Sequence, residues 1–193
     1  MNLIAFTGSL EAGKSTAAAA LQAILYYKYQ TRCLAFAGPM KKIAEEYFHF
    51  SEYMLHTPEG KKAVHPVWNI TAREFLQKFG QGMRELICPD VWVKITEQII
   101  EDYEEKERQH KTDVKLLIID DLRMDNEAEM IKRHNGTIVE ISRPSHKPIS
   151  AGIIGHASEQ GIDKKYIDYT VCNNSTAESL YKKIEKLSLE LGY

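Results

Sequence analysis

The residue types best suited to chemistry lie together in one short segment near the start of the chain. Residues 8–15 match the pattern G-x-x-x-x-G-K-S/T in full. Gly8 and Gly13 allow the backbone to curl, so that successive N–H groups point at phosphate oxygens. Lys14 can reach the β- and γ-phosphates, and the Ser15 hydroxyl can ligate Mg²⁺. This spacing predicts a site for a nucleoside triphosphate.

A pair of carboxylates forms the second candidate group. Asp120 and Asp121 follow four apolar residues at positions 116–119. A carboxylate at the C-terminal end of a buried parallel strand, beside a phosphate-binding loop, can hold Mg²⁺ or its water ligands. Which of the two acids serves the metal stays open. No D-x-x-G follows Asp121 and no N-K-x-D occurs in the chain, so a GTPase switch is not expected.

The composition is that of a globular protein with nearly balanced charge. The 193 residues include 25 Lys and Arg against 27 Asp and Glu, with 44% hydrophobic residues. This balance argues against a protein whose main role is to coat nucleic acid or an anionic membrane. No signal peptide and no run of ~18 apolar residues is present, so we expect a cytoplasmic protein. The three separated cysteines, Cys33, Cys88 and Cys172, predict reduced and buried thiols.

The elements that must position these groups alternate along the chain. Five apolar runs predict buried strands, and helical segments lie between them. This alternation predicts right-handed β-α-β crossovers onto a parallel sheet. Thr71 and Glu74 have the spacing of a capping box, and residues 80–86 predict a turn into a further helix. The predicted strands are residues 3–6, 33–37, 116–119, 138–141 and 169–172, and the predicted helices are residues 14–29, 40–48, 71–79, 91–108, 127–133 and 176–191.

Two segments interrupt the alternation. Residues 51–70 are rich in Pro, His and Gly, and residues 143–155 carry two prolines and two glycines without clear periodicity. Long irregular loops inside compact α/β domains are more often lids or binding loops than idle connectors. A small phosphate-binding-loop domain with an insertion after its second strand and a late lid favours a small-molecule kinase, which transfers the γ-phosphoryl group of ATP.

Further segments resemble the phage and bacterial deoxynucleoside monophosphate kinase family within the P-loop kinases. Residues 36–41 resemble its strand-end proline and lysine segment, and residues 71–80 its T-x-R-x-x-L-Q-x-x-G stretch. Residues 121–127 resemble its D-x-R-x-x-N-E element, and residues 143–159 its R-P…H-x-S-E lid region. Asn173 lies in a segment similar to the loop that packs near adenine. The resemblance spans almost the whole chain. The P-loop is shared by many families, whereas D-x-R-x-x-N-E together with H-x-S-E is specific to far fewer.

The resemblance implies a three-layer α/β fold with five parallel strands in the order 2-3-1-4-5. It implies one kinase domain over residues 1–193, with an acceptor-binding helical insertion at 50–110 and a lid at 143–160. Closure of the lid would exclude water, which otherwise competes as acceptor. The implied reaction transfers phosphoryl from Mg·ATP to a deoxynucleoside 5′-monophosphate, giving the diphosphate. The implied partners are these small molecules and a second copy of the chain, without direct binding of nucleic acid or membrane.

The resemblance also implies roles for individual residues. Arg73 and Arg123 are candidates to hold the acceptor phosphate, because a guanidinium engages two phosphate oxygens at once. Arg143 is the candidate that closes over the transferring group. The expected catalytic residues are Lys14, Asp121, Arg123 and Arg143; the nucleotide contacts are Gly8, Ala12, Gly13, Lys14, Ser15, Thr16 and Asn173; the acceptor contacts are Lys41, Arg73, Gln77, Trp92, Arg123 and Glu159; and the magnesium ligands are Ser15, Asp120 and Asp121.

Several alternatives stay open at this point. The arginines would otherwise be surface or ion-pair residues, and Trp92 would otherwise be a core residue. Dephospho-coenzyme A kinases and one type of phosphomevalonate kinase share parts of the pattern, so the acceptor could be another phosphorylated metabolite. The alternative from a different class of function is a nucleotide sensor, which binds ATP but phosphorylates nothing. The sequence does not say which bases are accepted or which oligomer forms.

Overall fold

The structure, a computed structural model, describes residues 1–144 and 161–193. Its strands form one sheet in which every neighbouring pair is parallel, and its order is the one implied by the family resemblance, so the predicted fold is confirmed. The strands are β1 (Asn2–Thr7), β2 (Gln30–Leu34), β3 (Val114–Ile119), β4 (Thr137–Ser142) and β5 (Tyr169–Cys172), arranged β2-β3-β1-β4-β5.

Seven α-helices are present in the described ranges, together with short 3₁₀ helices at Gly60–Lys62 and Lys164–Tyr166. None of these helices is long and apolar enough to cross a lipid bilayer. The α-helices are α1 (Lys14–Leu25), α2 (Gly38–Phe48), α3 (Glu52–His56), α4 (Ala72–Leu86), α5 (Val91–Arg108), α6 (Asp125–Arg133) and α7 (Ala177–Glu190).

The chain divides into two compact units, and the division falls within α5. The first unit consists of Met1–Ala35 and Thr96–Tyr193 and contains the whole sheet with α1, α6 and α7. The second unit, Phe36–Ile95, contains α2, α3 and α4.

Helices cover both faces of the sheet in the first unit. Ile4 and Phe6 of β1 share one core cluster with residues of α1 and α7, and those two helices contact each other. On the opposite face, Leu3 and Ile131 of α6 both lie beside Gly136, just before β4. Burial on two faces explains why the central strands read as continuous apolar runs rather than as alternating ones. Together the layers hold the C-terminal ends of β1, β3, β4 and β5 in a fixed arrangement.

Strand β2 lies three residues earlier than predicted. The prediction at 33–37 was wrong because it followed an apolar run, whereas β2 is an edge strand with an exposed Arg32 and Cys33. Its last residue, Leu34, pairs with Ile119 at the end of β3. Pairing with a buried neighbour therefore sets the bounds of this strand. The three cysteines are free thiols, but none is fully buried as predicted, since Cys33 is exposed and Cys88 and Cys172 are only partly buried.

Two helices differ in length from their predictions. Helix α1 ends at Leu25, after which the N–H groups of Tyr26 and Lys28 bond to carbonyls three residues earlier, on Ala23 and Leu25, in a tighter turn that leads to β2. Helix α4 continues through the predicted turn at residues 80–86. Gly80 lies inside it, where a Cβ would come within 2.9 Å of Met40 Sδ. The glycine therefore allows α4 to pass close to α2 and does not break the helix.

The second unit has an aromatic core of its own. Phe75 lies at its centre, with the rings of Phe48, Phe50 and Phe79 centred 4.6, 4.9 and 5.5 Å away. Helix α4 begins with the predicted capping box, because Thr71 and Glu74 each accept a backbone N–H of the other. Aromatic packing and the capping box together fix the orientation of the first turns of α4 within the second unit.

Candidate active site

The phosphate-binding loop, residues 8–13, connects β1 to α1 and takes a conformation that requires glycine at both ends. Gly8 and Gly13 have φ angles of 137° and 106°. A Cβ on Gly8 would lie 2.2 Å from the Ile141 carbonyl oxygen, and a Cβ on Gly13 would lie 2.6 Å from Asn173 Nδ2. Side chains other than hydrogen are therefore excluded at both positions by strain and by space. The loop has the curled shape that the motif predicts.

Side chains bond to the carbonyl groups of this loop from several directions. Lys14 Nζ donates to the carbonyls of Gly8 and Ser9, both at 2.8 Å. Asn173 Nδ2 donates to the Ala12 carbonyl at 2.8 Å, and Arg143 Nη1 donates to the Glu11 carbonyl at 3.3 Å. These bonds come from α1 and from the ends of β4 and β5. They tie the loop to the ends of the neighbouring elements.

Helix α1 begins directly after this loop, so its first backbone N–H groups lie at the end of the loop. Its N-cap is Gly13, and within the described ranges no side chain caps it. Ser15 and Thr16 are exposed in its first turn. An uncapped helix N-terminus carries a partial positive charge and favours phosphate oxygens. The predicted nucleotide contacts from Gly8 to Thr16 thus lie on one continuous loop and helix start.

Lys14 occupies an electrostatically strained position. The pKa of its ammonium is lowered from 10.5 to about 8, first by burial and then by the nearby positive charge of Arg123, while Asp120 and Asp121 act in the opposite direction. Two cations therefore lie close enough to repel each other. A polyanion bound beside them would relieve that repulsion and raise the pKa of Lys14.

Both predicted carboxylates lie at the C-terminal end of β3, next to β1 in the sheet. Asp120 and Asp121 directly follow Ile119, which pairs with Ala5, and both are partly exposed. Their effect on the pKa of Lys14 shows that they lie near the phosphate-binding loop. Mg²⁺ in nucleotide sites is usually held by one or two protein oxygens together with phosphates and water. The residues present fit such an ion, with a hydroxyl from Ser15 and a carboxylate from the pair.

The turn that carries Arg123 is held by residues to which the sequence pattern assigned no role. Thr7 Oγ1 donates to the Leu122 carbonyl at 3.1 Å. Glu127 Oε2 accepts from the backbone N–H groups of Arg123 and Met124. Glu127 could have been singled out from sequence, because an acid at the third position of a helix is typical of a capping box. Thr7 carries no such signal, since its partner is far away in the sequence.

The predicted acceptor contacts in the second unit lie on two helices. Arg73 and Gln77 are one turn apart on α4 and are partly exposed, and Lys41 lies on α2. The pKa of His56 is lowered by partial burial and then by the charges of Lys41 and Lys61. Lys41 and Lys61 therefore lie near His56, together with the carboxylates of Glu45 and Glu52, which act on its pKa in the opposite direction. Lys61 belongs to no motif and was not expected from the sequence.

Trp92 lies in the core of the second unit rather than on its surface. It is 1% exposed, and its indole N–H donates to the Gly80 carbonyl at 3.0 Å. Its ring packs near Phe79, and Met40 belongs to the same cluster. No ring face is open to a nucleobase in this arrangement. Trp92 is thus a core residue, which is the alternative that the sequence analysis left open. We propose no acceptor contact for it.

The predicted lid lies almost wholly outside the described residues, as does Glu159 within it. Arg143 is described and is partly exposed at the end of β4. Its guanidinium bonds to the phosphate-binding loop through the Glu11 carbonyl. The structure therefore places Arg143 beside the nucleotide site, where a bound phosphate could compete for the guanidinium.

Comparison with known proteins agrees with this site. Residues 56–184, more than half of the chain, match the family model of deoxynucleotide monophosphate kinase. The chain is 28% identical over 190 residues to the "Putative deoxynucleotide monophosphate kinase" of Acanthamoeba polyphaga mimivirus, which covers 95% of this chain and 94% of the viral one.

One solved structure supports the fold. The dephospho-CoA kinase from Campylobacter jejuni superimposes with a TM-score of 0.52 at 15% identity, covering 98% of this chain and 96% of that one. Shikimate kinase from Aquifex aeolicus vf5 has a TM-score of 0.44 at 18% identity, over 98% and 97% of the two chains. With its phosphate-binding loop, its sheet order and its family match, the chain is a P-loop phosphotransferase and belongs to the deoxynucleotide monophosphate kinase family.

Proposed function

We propose that the protein transfers the γ-phosphoryl group of ATP to a deoxynucleoside 5′-monophosphate. The observation that carries the proposal is that the phosphate-binding loop after β1 and the turn with Arg123 after β3 lie side by side, joined by the hydrogen bond from Thr7 to the Leu122 carbonyl. This arrangement brings Lys14 and Arg123 to the same end of the sheet. Two phosphorylated substrates need positive charge at the place where their phosphates meet. The family match supports a deoxynucleotide as the acceptor.

The first unit would hold the donor nucleotide. Backbone N–H groups of the phosphate-binding loop and the start of α1 would bind the β- and γ-phosphates, with Lys14 leaving its carbonyl partners to join them. Ser15 and one of Asp120 and Asp121 would hold Mg²⁺. When bound, the ion would neutralise charge that develops between the β- and γ-phosphates.

The acceptor phosphate would be held by Arg123, with Arg73, Lys41 and Gln77 as further proposed contacts from the helical insertion. An oxygen of the acceptor 5′-phosphate would attack the γ-phosphorus, and the bond from that phosphorus to the bridging oxygen would break. The products are ADP and the deoxynucleoside diphosphate. No covalent enzyme intermediate is required, since the chemistry depends on position and charge neutralisation.

An acceptor panel tests this proposal. Release of ADP would be coupled to a spectroscopic readout with each deoxynucleoside monophosphate in turn, with dephospho-coenzyme A, with phosphomevalonate, and without any acceptor. We expect turnover with at least one deoxynucleoside monophosphate and a Lys14→Ala variant that is almost inactive. Turnover confined to the other metabolites would overturn the assigned acceptor. Tight ATP binding without any acceptor-dependent turnover would favour a nucleotide sensor instead.

A further inference from the structure

The turn formed by residues 122–124 is bonded at three consecutive positions by two buried side chains. Thr7, 3% exposed, donates its hydroxyl to the Leu122 carbonyl at 3.1 Å. Glu127, 4% exposed, accepts with one carboxylate oxygen from Arg123 N at 2.8 Å and from Met124 N at 3.1 Å. The backbone on both sides of the Arg123 side chain is therefore fixed.

The burial of Glu127 goes beyond what capping a helix requires. Helix α4 has the same kind of capping box, but its carboxylate, Glu74, remains exposed while it accepts the N–H of Thr71. Fully buried carboxylates are uncommon, because a charge removed from water must recover its solvation from hydrogen bonds. At Glu127 two backbone N–H groups and the positive end of the α6 dipole provide part of that compensation. Glu127 thus gives up solvation free energy at the turn that carries Arg123, the proposed acceptor residue.

The same turn is bonded to the nucleotide side of the site. Thr7 directly precedes Gly8, the first residue of the phosphate-binding loop, and its hydroxyl binds the residue before Arg123. The hydrogen bond of Thr7 thus links the phosphate-binding loop to the turn at Leu122. Glu127 holds the same turn at residues 123 and 124. Phosphoryl transfer depends on such distances, since a misplacement of roughly 1 Å can cost about a hundredfold in rate.

We propose that Glu127 is a positioning residue, which sets the direction of Arg123 towards the meeting point of the two phosphates. The inference rests on the proposed role of Arg123 in binding the acceptor. In this role Glu127 acts through the backbone of residues 123 and 124 and is not itself a substrate contact. Its loss should therefore change the use of the acceptor and leave the binding of ATP nearly unchanged.

Steady-state kinetics of Glu127→Ala, Glu127→Gln, Arg123→Ala and the double variant Glu127→Ala/Arg123→Ala test this role. We expect Glu127→Ala to lower kcat/KM for the acceptor by about tenfold or more, with little change in the KM of ATP. Glu127→Gln retains an oxygen that can accept both N–H groups, so it should recover most of the activity. The double variant should lose little beyond Arg123→Ala, because two residues that act through one group are not additive.

Thr176→Ala is the matched control, because it removes the N-cap hydrogen bond of α7 to Ser179 N. It should lower the melting temperature without changing the KM of the acceptor. A Glu127→Ala variant that behaves like this control, or losses that add fully in the double variant, would overturn the proposal. If Glu127→Ala does not fold, Glu127→Gln and Thr7→Val provide the same comparison in milder form.

Hydrogen exchange separates this inference from the proposed function. The amides of Arg123 and Met124 should exchange slowly in the unmodified protein and fast in Glu127→Ala, whatever the acceptor is. Rapid exchange of both amides in the unmodified protein would contradict the positioning role even if deoxynucleotides are phosphorylated. Protected amides in a protein that phosphorylates no deoxynucleotide would instead reject the acceptor assignment alone.

Discussion

Asn173 donates its side-chain amide to the carbonyl of Ala12 at 2.8 Å, across 161 positions of sequence. The bond joins the end of β5 to the phosphate-binding loop at the residue immediately before Gly13. The sequence placed Asn173 near the adenine of ATP by resemblance. The structure adds a direct bond to the loop that is proposed to hold the phosphates.

Asn173→Ala should therefore weaken ATP binding rather than acceptor binding. Loss of one hydrogen bond of about 1 kcal/mol predicts roughly a fivefold rise in the KM of ATP. Steady-state kinetics with ATP varied at saturating acceptor measures this change. Asn174→Ala is the control, since its side chain accepts from Lys183 and not from the loop. Equal effects of the two variants would show that Asn173 has no special role.

Lys14→Ala should abolish most phosphoryl transfer and leave the fold intact. Removing a preorganised positive group from the reacting phosphates costs on the order of 10²–10³ in kcat. The rate is measured with the coupled ADP assay, and the melting temperature is measured in parallel. Because Lys14 is strained in the free protein, we expect no loss of stability. Near-normal turnover would reject the assignment of this loop as the phosphate site.

The lowered pKa of Lys14, about 8, predicts a pH dependence. The unfolded chain keeps this proton up to about pH 10.5, so between these values the unfolded state binds more protons and stability gains from this group as pH rises. ATP binding should show the opposite trend and weaken above pH 8, because the charge on Lys14 is lost.

Proton uptake measures the same effect directly. Phosphate bound at Lys14 raises its pKa, so ATP binding near pH 8 should take up protons. Calorimetric titration in two buffers with different ionisation enthalpies gives the number of protons. Lys14→Arg keeps a permanent charge and should show much less uptake. The same uptake in both proteins would mean that another group titrates.

Arg123→Ala should affect the acceptor far more than ATP. A charge-assisted hydrogen bond contributes ~1.5–3 kcal/mol, which predicts a loss of about 10- to 100-fold in kcat/KM for the acceptor. Arg133→Ala is a control on the same unit, since Arg133 pairs with Glu97 at 2.7 Å on the surface. An unchanged dependence on acceptor concentration would show that Arg123 is only structural.

Thr96→Val should stabilise the protein. Thr96 is 1% exposed, and within the described part of the chain its hydroxyl has no hydrogen-bond partner. Replacement by the isosteric valine removes a buried unsatisfied group, worth about 1 kcal/mol or more. Urea denaturation measures the free energy of unfolding. Thr176→Val, which removes a helix cap, should have the opposite sign. Destabilisation by Thr96→Val would point to a partner for the hydroxyl.

The sequence by itself determined the phosphate-binding loop and the strand order expected from the family. Eight consecutive residues specify the loop, since the glycines, lysine and hydroxyl act on phosphate through local geometry. The central strands were equally clear, because burial on both faces leaves long apolar runs. The capping box of α4 is also local, as Thr71 and Glu74 are one helical turn apart.

Tertiary structure decided what depends on contacts between distant residues. The bounds of β2 follow from its pairing with β3, and Gly80 continues a helix because Met40 packs against it. Trp92 can lie in the core because the Gly80 carbonyl accepts a hydrogen bond from its indole N–H. The contacts of Asn173 and Thr7 arise in the same way, since their partners, the carbonyls of Ala12 and Leu122, lie more than a hundred positions away in the sequence. A motif specifies the groups that do chemistry, whereas packing determines which other residues hold them in place.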